Sequence, residues 1–275
     1  MGKLNGKSAI VTGGGRGIGR SVALLLAAEG ARVVVNDLDQ EPANQVVAEI
    51  RKNGGEAVAC PGSVTSEGFA KRFVQTAVDN YGGIDIIINN AGYTWDSVIQ
   101  KMTDEQWYAI VDLHLKAPFD ILRAAQPVIS AAVKKEKSEG RVVHRKVVNI
   151  SSVAGVFGNA GQANYSSAKA GIVGLTKTLA KEWGRYNVNV NCVAFGFILT
   201  RLTEATADQE STIEVEGRAI KVGVNPQVLE RVKAMIPLGR PGTPEEAAGS
   251  VVMLTYPEAD YVSGQLLVTG GGLEG

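Results

Sequence analysis

Apolar residues recur along the chain with two spacings that follow each other in a regular order. Short runs rich in Val and Ile, such as "SAIV", "RVVV" and "IDIIIN", have the length and composition of buried strands. Longer stretches between them, such as "GRSVALLLAAEG" and "EGFAKRFVQTAVDNYG", repeat their apolar positions at helical spacing. This alternation predicts a doubly wound α/β fold whose sheet has seven parallel strands joined by helices.

Two stretches interrupt this order. The charged segment "KKEKSEGRVVHR", residues 134–145, is interpreted as a solvated helix end and turn. Residues 202–236 are too many for an ordinary connection and are predicted to form an extended substrate lid. A lid of this length suits a bulky or partner-specific substrate, but a surface insertion or an oligomer contact explains it equally well.

Composition limits the classes of protein to consider. With 275 residues, of which 45% are hydrophobic, we expect a single domain over residues 1–275. The 28 basic and 28 acidic residues balance, which argues against nucleic-acid or membrane partners. Cys60 and Cys192 lack metal-ligand spacing, so we expect buried, reduced thiols and no metal. No stretch has the pattern of a signal peptide or a membrane span, so we expect a cytoplasmic protein.

A glycine-rich turn, "TGGGRGIG", joins the first strand to the first helix. Gly13, Gly17 and Gly19 have the spacing G-x-x-x-G-x-G. Glycines allow a tight turn, and the free N–H groups of the helix start bind a pyrophosphate. A purely structural turn is the alternative. The position between strand and helix favours a dinucleotide site of the Rossmann type.

Asp37 ends the second strand, where an acid accepts hydrogen bonds from the ribose of an adenosine. The same carboxylate repels a 2′-phosphate, so the sequence favours NAD over NADP. Arg16 in the glycine turn argues the other way, because it can pair with that phosphate. The alternative for Asp37 is a turn residue of "NDLDQ".

Tyr165 and Lys169 lie four positions apart in "YSSAK", on one face of a predicted helix. An exposed surface pair is the alternative. With "TGGGRGIG", "NNAG", "NISS" and "YSSAK" in this order along nearly the whole chain, the sequence resembles the classical short-chain dehydrogenase/reductase family. It is similar to 3-oxoacyl-[acyl-carrier-protein] reductases and to the (R)-3-hydroxyacyl-CoA dehydrogenase domain of type-2 multifunctional enzymes.

The resemblance implies roles for individual residues. Tyr165 exchanges a proton with the substrate oxygen, Ser152 hydrogen-bonds that oxygen, and Lys169 lowers the pKa of Tyr165 and bonds the nicotinamide ribose. Ser151 is the competing serine. The implied cofactor-binding residues are Gly13, Arg16, Gly17, Ile18, Gly19, Asp37, Ser63, Val64, Asn90, Ala91, Gly92, Tyr165, Lys169, Gly196, Ile198 and Thr200.

Three positions depart from the family pattern. His114 stands where an asparagine is usual in the proton relay; it either replaces that asparagine or is structural. Phe195 stands where proline is usual, and it narrows the pocket or simply packs. Ser63 replaces the acid that bonds the adenine amino group, which leaves a weaker acceptor.

The expected function is NAD-dependent interconversion of a secondary alcohol and a ketone, with a 3-hydroxyacyl/3-oxoacyl thioester as substrate. One alternative substrate is a free cyclic, aromatic or steroid-like alcohol. An alternative of another class is a catalytically silent NAD-binding subunit. The resemblance also implies a homotetramer assembled through the helices within 107–135 and 164–186 and the C-terminal strand.

Overall fold

A computed structural model describes residues 2–200, 211–223 and 226–273 of the chain. Seven parallel strands form one sheet, as the alternating pattern predicts. Helices lie on both faces of the sheet, so inner strands such as β1 (Ser8–Val11) and β4 (Ile86–Asn89) are buried along their whole length. The strands, in order across the sheet, are β3 (Glu56–Ala59), β2 (Arg32–Val35), β1 (Ser8–Val11), β4 (Ile86–Asn89), β5 (Arg145–Ser152), β6 (Val188–Phe195) and β9 (Leu266–Thr269).

Helices cover both faces of this sheet. Neighbouring residues of a strand point to opposite faces, so Ala9 and Val11 of β1 join one apolar core and Ile10 joins the other. Helices α1, α2 and α9 pack in the first core, and α3, α5 and α7 pack in the second. The helices are α1 (Gly17–Ala28), α2 (Gln40–Lys52), α3 (Phe69–Tyr81), α4 (Asp104–Val111), α5 (Ala117–Ser138), α6 (Val153–Phe157), α7 (Ala163–Trp183), α8 (Pro226–Met235) and α9 (Pro244–Val252).

The long helix predicted around Trp107–Lys135 consists of two helices. Thr103 caps α4 through a reciprocal pair of hydrogen bonds with Gln106. A π-helical turn, Asp112–Lys116, then joins α4 to α5. Such turns insert a residue into a helix and are frequent at functional sites. The turn contains His114, whose ring lies against Gly92 and Tyr93, shortly after the end of β4.

The predicted lid contains a β-hairpin. Strands β7 (Ser211–Val215) and β8 (Arg218–Val222) pair antiparallel, and α8 follows them. The sequence analysis did not anticipate these strands. Residues 201–210, 224 and 225, most of which belong to the predicted lid, lie outside the described part of the chain.

The interpretation of residues 134–145 as a solvated excursion is wrong at both ends. Glu136 and Arg145 are buried and joined by two hydrogen bonds of 2.9 and 2.6 Å. Arg145 also donates to the carbonyl oxygen of Ile84 at 3.1 Å. The paired charges satisfy each other, so the fold can bury them where α5 ends and β5 begins.

Both cysteines are free and buried, as predicted. Cys60 directly follows β3, and Cys192 lies within β6.

Candidate active site

A cleft of about 1480 Å³ opens at the carboxyl ends of the strands, where the strand order reverses between β1 and β4. Open α/β sheets bind their ligands at this point. The cleft is larger than the pocket of a drug-sized ligand, so it has room for a dinucleotide and a substrate together. It brings together all the residues singled out in the sequence: Gly13, Arg16, Gly17, Ile18, Gly19, Asp37, Ser63, Val64, Asn90, Ala91, Gly92, His114, Ser152, Tyr165, Lys169, Gly196, Ile198 and Thr200.

The glycine turn forms the floor of the cleft. Gly13 and Gly17 have φ angles of +61° and +51°, which side chains rarely adopt. A Cβ atom on Gly19 would lie 2.0 Å from the carbonyl oxygen of Gly13, so only glycine fits there. Thr200 lies beside Gly17 at the start of α1. This backbone offers free N–H groups at a helix start and fits a pyrophosphate.

Asn90 supports the turn from the end of β4. Its side-chain amide donates to the carbonyl oxygens of Thr12 and Gly13 at 3.0 and 3.2 Å. The next residue, Ala91, donates its backbone N–H to the Thr12 hydroxyl at 3.0 Å. These bonds hold the first and fourth strands together under the cleft.

Asp37 is held firmly at the end of β2. It is 7% exposed and accepts a hydrogen bond of 3.1 Å from the Gly15 N–H. Arg16 lies 3.4 Å from Asp37 and pairs with Asp39 at 2.8 Å. Burial raises the pKa of Asp37, and the hydrogen bonds and Arg16 oppose that shift. The guanidinium of Arg16 is therefore already paired with the carboxylates of Asp37 and Asp39.

Ser152, Tyr165 and Lys169 meet where β5 ends and α7 begins. Lys169 donates to the carbonyl oxygen of Ile150 at 2.7 Å, and its Nζ lies 5.6 Å from the centre of the Tyr165 ring. The hydroxyl of Ser152 lies near enough to the Tyr165 phenol to lower its pKa. Both serines line the cleft, but Ser151 is 2% exposed and its hydroxyl donates to the backbone oxygen of Lys169 at 2.7 Å, which favours Ser152 as the serine that contacts a substrate.

The lowering of the Tyr165 pKa that the resemblance implies depends on a bound nicotinamide as well as on Lys169, and it stays a prediction. Burial raises the pKa of Tyr165 to about 12, the hydrogen bond with Ser152 opposes this rise, and the charge of Asp96 adds to it. Burial also lowers the pKa of Lys169 to about 8. Both shifts have one physical cause: a site removed from water disfavours every charged form. The chain's own groups do not make this phenol acidic.

His114 lies directly behind the tyrosine. The two rings meet edge to face with centroids 5.0 Å apart. The Nε2 atom of His114 lies 2.7 Å from the carbonyl oxygen of Tyr93, so this nitrogen carries the proton. Burial lowers the pKa of His114 well below its usual value, and the ring is neutral. Its Nδ1 is a buried acceptor without a partner in the described part of the chain.

Phe195 mainly packs. It is 6% exposed at the end of β6, between Ser152 and Thr269 on the neighbouring strands. Gly196 and Ile198 follow it along the wall of the cleft. Ile198 pairs with Gly242 in an isolated bridge, so the turn after β6 keeps an ordered backbone in spite of the missing proline.

The structure adds residues that the sequence analysis missed. Asp96 lines the cleft and accepts a hydrogen bond of 2.8 Å from Gln162, which lies just before α7. Arg218 of the hairpin donates to Glu105 at 2.9 Å and lies over the Trp95 ring at 5.7 Å. Asp96 could have been found from the sequence as an acid shortly after a strand's carboxyl end. Arg218 could not, because its site depends on the path of the hairpin.

No cluster of three or more metal-binding side chains occurs within residues 2–200, 211–223 and 226–273. Over the same ranges no helix is long and apolar enough to cross a membrane.

Comparison with known proteins gives the family. The model of the family "short chain dehydrogenase" matches residues 7–211, which include the glycine turn, the Ser152–Tyr165–Lys169 group and most of the sheet. The chain is a short-chain dehydrogenase. The resemblance drawn from the four motifs and the predicted fold are thereby confirmed.

Relatives of this short-chain dehydrogenase match it over nearly its whole length. A 3-oxoacyl-[acyl-carrier-protein] reductase of Synechocystis sp. is 42% identical and covers 99% of both chains. The 3-oxoacyl-[acyl-carrier-protein] reductase FabG of Thermotoga maritima is 36% identical over 98% of this chain and 99% of its own length. The FabG of Vibrio cholerae is also 36% identical, over 98% of each chain.

Membership in the family makes the protein an oxidoreductase that uses a nicotinamide cofactor. The expectation of an enzyme is confirmed at this level. The choice between NAD and NADP, the substrate and the roles of single residues stay predictions.

Proposed function

We propose that the protein is an NAD(H)-dependent oxidoreductase that interconverts a 3-hydroxyacyl and a 3-oxoacyl thioester. The observation that carries the proposal is one cleft that holds the Ser152–Tyr165–Lys169 group, with Lys169 buried, and, at its other end, the fixed carboxylate of Asp37. The three relatives described above are all named 3-oxoacyl-[acyl-carrier-protein] reductases, which favours a thioester substrate.

The cofactor's residues follow from the geometry. The glycine turn fits the pyrophosphate, and Asp37 fits the hydroxyls of an adenosine ribose. A 2′-phosphate would meet the Asp37 carboxylate, while Arg16 is already paired with Asp39. These contacts support NAD over NADP.

The chain's own groups move the proton. In reduction, Tyr165 donates its hydroxyl proton to the substrate oxygen, and Ser152 hydrogen-bonds the same oxygen as charge develops. A bound nicotinamide supplies or accepts the hydride, and its oxidised ring is cationic. Since burial favours the neutral phenol, Tyr165 is well suited to hold its proton until that transfer.

We further propose that His114 extends the proton path behind Lys169. Its neutral ring presents an unpartnered Nδ1, an acceptor for a water held near the ammonium. The bond from Nε2 to Tyr93 fixes the ring in this orientation. The competing role is packing, because a Cβ atom on Gly92 would lie 2.3 Å from the imidazole.

Substrate competition tests the proposed function. NADH-dependent reduction of a 3-oxoacyl thioester is compared with reduction of a cyclic ketone, and Tyr165→Phe serves as the control. We expect turnover of the thioester, and a loss of about 10²–10⁴-fold in kcat with Tyr165→Phe because the proton donor is gone. Faster turnover of the cyclic ketone would favour the alternative alcohol dehydrogenase. Binding of NADH without any turnover would favour the silent subunit.

We also propose that the chain is one domain, that residues 202–236 form its lid and that it assembles as a homotetramer. Large apolar side chains exposed on α4 and α5, namely Trp107, Tyr108 and Phe119, support an assembly through these helices. A cytoplasmic location stays a prediction.

A further inference from the structure

The tip of the lid hairpin has an unusual residue at its turn. Val215 pairs with Arg218, so Glu216 and Gly217 form a two-residue loop. Their φ angles are +52° and +77°. Turns of this kind favour Asn, Asp or Gly at the first position, because other side chains are strained there. Turn preference therefore does not explain the left-handed conformation of Glu216, and contacts of its side chain must stabilise it.

That glutamate reaches the end of the cleft that lies next to β3. Ser63 donates a short hydrogen bond to Oε1 of Glu216, and the hydroxyl of Thr65 lies 3.3 Å from the same oxygen. Glu216, Ser63 and Thr65 all line the cleft. The contact joins the lid to the wall of the proposed cofactor site.

The order of the strands indicates which part of a dinucleotide lies there. The turn after β1 fits the pyrophosphate, and Asp37 after β2 fits the ribose. The next strand outward is β3, whose following residues include Ser63. A base attached to that ribose therefore extends toward Ser63 and the tip of the hairpin.

The carboxylate of Glu216 has acceptor capacity left for a ligand. Two carboxylate oxygens offer about four lone-pair sites. Ser63 and Thr65 approach Oε1, and Arg218 lies 3.3 Å from Oε2. One edge of adenine presents an amino group, which is a donor and matches an acceptor-only carboxylate.

We propose that Glu216 belongs to the cofactor site, where its carboxylate, oriented by Ser63 and Thr65, accepts the hydrogen bond of the adenine amino group. The inference rests on the proposed function, since it needs a bound adenine dinucleotide. At position 63, where the family resemblance implies an acid for this contact, the chain has a serine; Glu216 of the lid would supply the carboxylate instead. Arg218 contacts the Glu216 carboxylate at 3.3 Å and donates to Glu105 of α4 at 2.9 Å, so it links Glu216 to that helix.

The test compares two dinucleotides that differ at this edge of the base, where hypoxanthine has an oxo group in place of the amino group and a proton on the adjacent ring nitrogen, so the Glu216 variants isolate the part of the difference that depends on Glu216. The dissociation constants of NADH and of reduced nicotinamide hypoxanthine dinucleotide, which carries an oxo group there, are measured by fluorescence titration. We expect the wild type to bind NADH about 10- to 100-fold more tightly, the range for a hydrogen bond to a charged group. In Glu216→Gln and Glu216→Ala this ratio falls close to one. Glu214→Gln, on the same hairpin, makes the same change of charge and keeps the wild-type ratio.

Each other result has one meaning. A wild type that binds both dinucleotides equally well overturns the inference by itself, even if a Glu216 variant fails to fold. A ratio that stays unchanged in Glu216→Ala, or that rises because Glu216 obstructs the base, also overturns it. A wild type that binds neither dinucleotide overturns the proposed function instead. Melting temperatures of the variants show whether they are folded.

Discussion

Tyr165 lies between two neighbours that act on its pKa in opposite directions. The hydroxyl of Ser152 favours the phenolate, and the carboxylate of Asp96 favours the neutral phenol. Burial outweighs both of them and raises the pKa to about 12. Burial therefore sets the main shift of the Tyr165 pKa, and Ser152 and Asp96 make smaller changes to it.

Removing the charge of Asp96 is expected to shift the pH profile to lower pH. In the proposed mechanism Tyr165 is the base of the oxidation direction, so kcat/KM is expected to rise as pH passes its pKa. Asp96→Asn removes a charge that raises this pKa, and the midpoint of the rise then moves down. Gln162→Ala breaks the bond to Asp96 but keeps the charge, so its midpoint should not move down. An unchanged midpoint in Asp96→Asn would contradict the assignment.

Exchanging Asp37 is expected to change the cofactor preference. Asp37→Ala removes the carboxylate that a 2′-phosphate would meet, and it frees Arg16 from one of its two partners. The ratio of kcat/KM with NADH to that with NADPH should fall by about tenfold or more, which corresponds to ~1.4 kcal/mol. Asp39→Ala leaves the ribose acceptor in place and should change the ratio less. If Asp37→Ala left the ratio intact, the ribose contact would lie elsewhere.

At this scale every residue that the sequence analysis assigned to the site lines the cleft. Tyr165, Lys169 and the glycines carry their signal in short motifs, because a helical turn or a tight turn fixes the distance between them. Asp96 and Glu216 have no such local signal, and their positions depend on loops far apart in the chain. How far burial raises the pKa of Tyr165 in the chain alone was not predictable either, because it depends on how the surrounding elements pack around the phenol.

At the scale of elements, a buried ion pair joins the end of α5 to the start of β5. Arg145 and Glu136 have side chains that are only 6% and 11% exposed. Their hydrogen bond lowers the pKa of Glu136. A carboxyl group with a lowered pKa stabilises the fold at higher pH and loses that contribution as pH falls through the lowered value.

Arg145→Ala is expected to lower the free energy of unfolding by about 3–5 kcal/mol, because it leaves the Glu136 carboxylate buried without its partner. Urea denaturation at neutral pH measures the change. Arg141→Ala removes an exposed arginine that pairs with Glu139 and should cost about 0–1 kcal/mol. The effect of Arg145→Ala should shrink in acid, where Glu136 is protonated. Equal losses in the two variants would show that the buried pair adds nothing.

The lid hairpin shows what periodicity alone leaves open. Thr212–Val215 and Arg218–Val222 alternate polar and apolar residues around a glycine-containing turn, which is a usable hairpin signal. Without a partner sheet, such a short hairpin is marginally stable, so residues 202–236 were predicted as a lid without strands of their own. Contacts of Glu216 and Arg218 with Ser63 and Glu105 supply the missing support.

At the scale of the whole molecule, the sequence was sufficient for the sheet. Parallel strands buried on both faces need continuous apolar runs, and these runs are visible as "IVTG", "RVVV" and "IIIN". The π-helical turn and the buried pair of Glu136 and Arg145 were not predictable in this way, because each depends on what the neighbouring helix contacts.

The proposed tetramer gives a measurable expectation. Light scattering coupled to size-exclusion chromatography should give about four times the chain mass of 28.9 kDa. Tyr108→Lys places a charge on an exposed apolar position of α4, 61% exposed in the single chain, and should lower the mass if this helix lies in the interface. Lys52→Glu, at an exposed and already charged position of α2 outside the proposed interface, serves as a comparison and should keep the mass. A wild type that elutes as a monomer would refute the assembly.

The two buried thiols allow local opening of the fold to be measured by alkylation. An alkylating reagent reaches Cys60 or Cys192, 3% and 0% exposed, only when the elements around that sulfur separate. Cys60 lies near the outer strand β3, and Cys192 lies in β6 on the other side of the sheet. Mass spectrometry of the alkylated peptides therefore measures how fast each side of the sheet opens, and it needs no engineered cysteine.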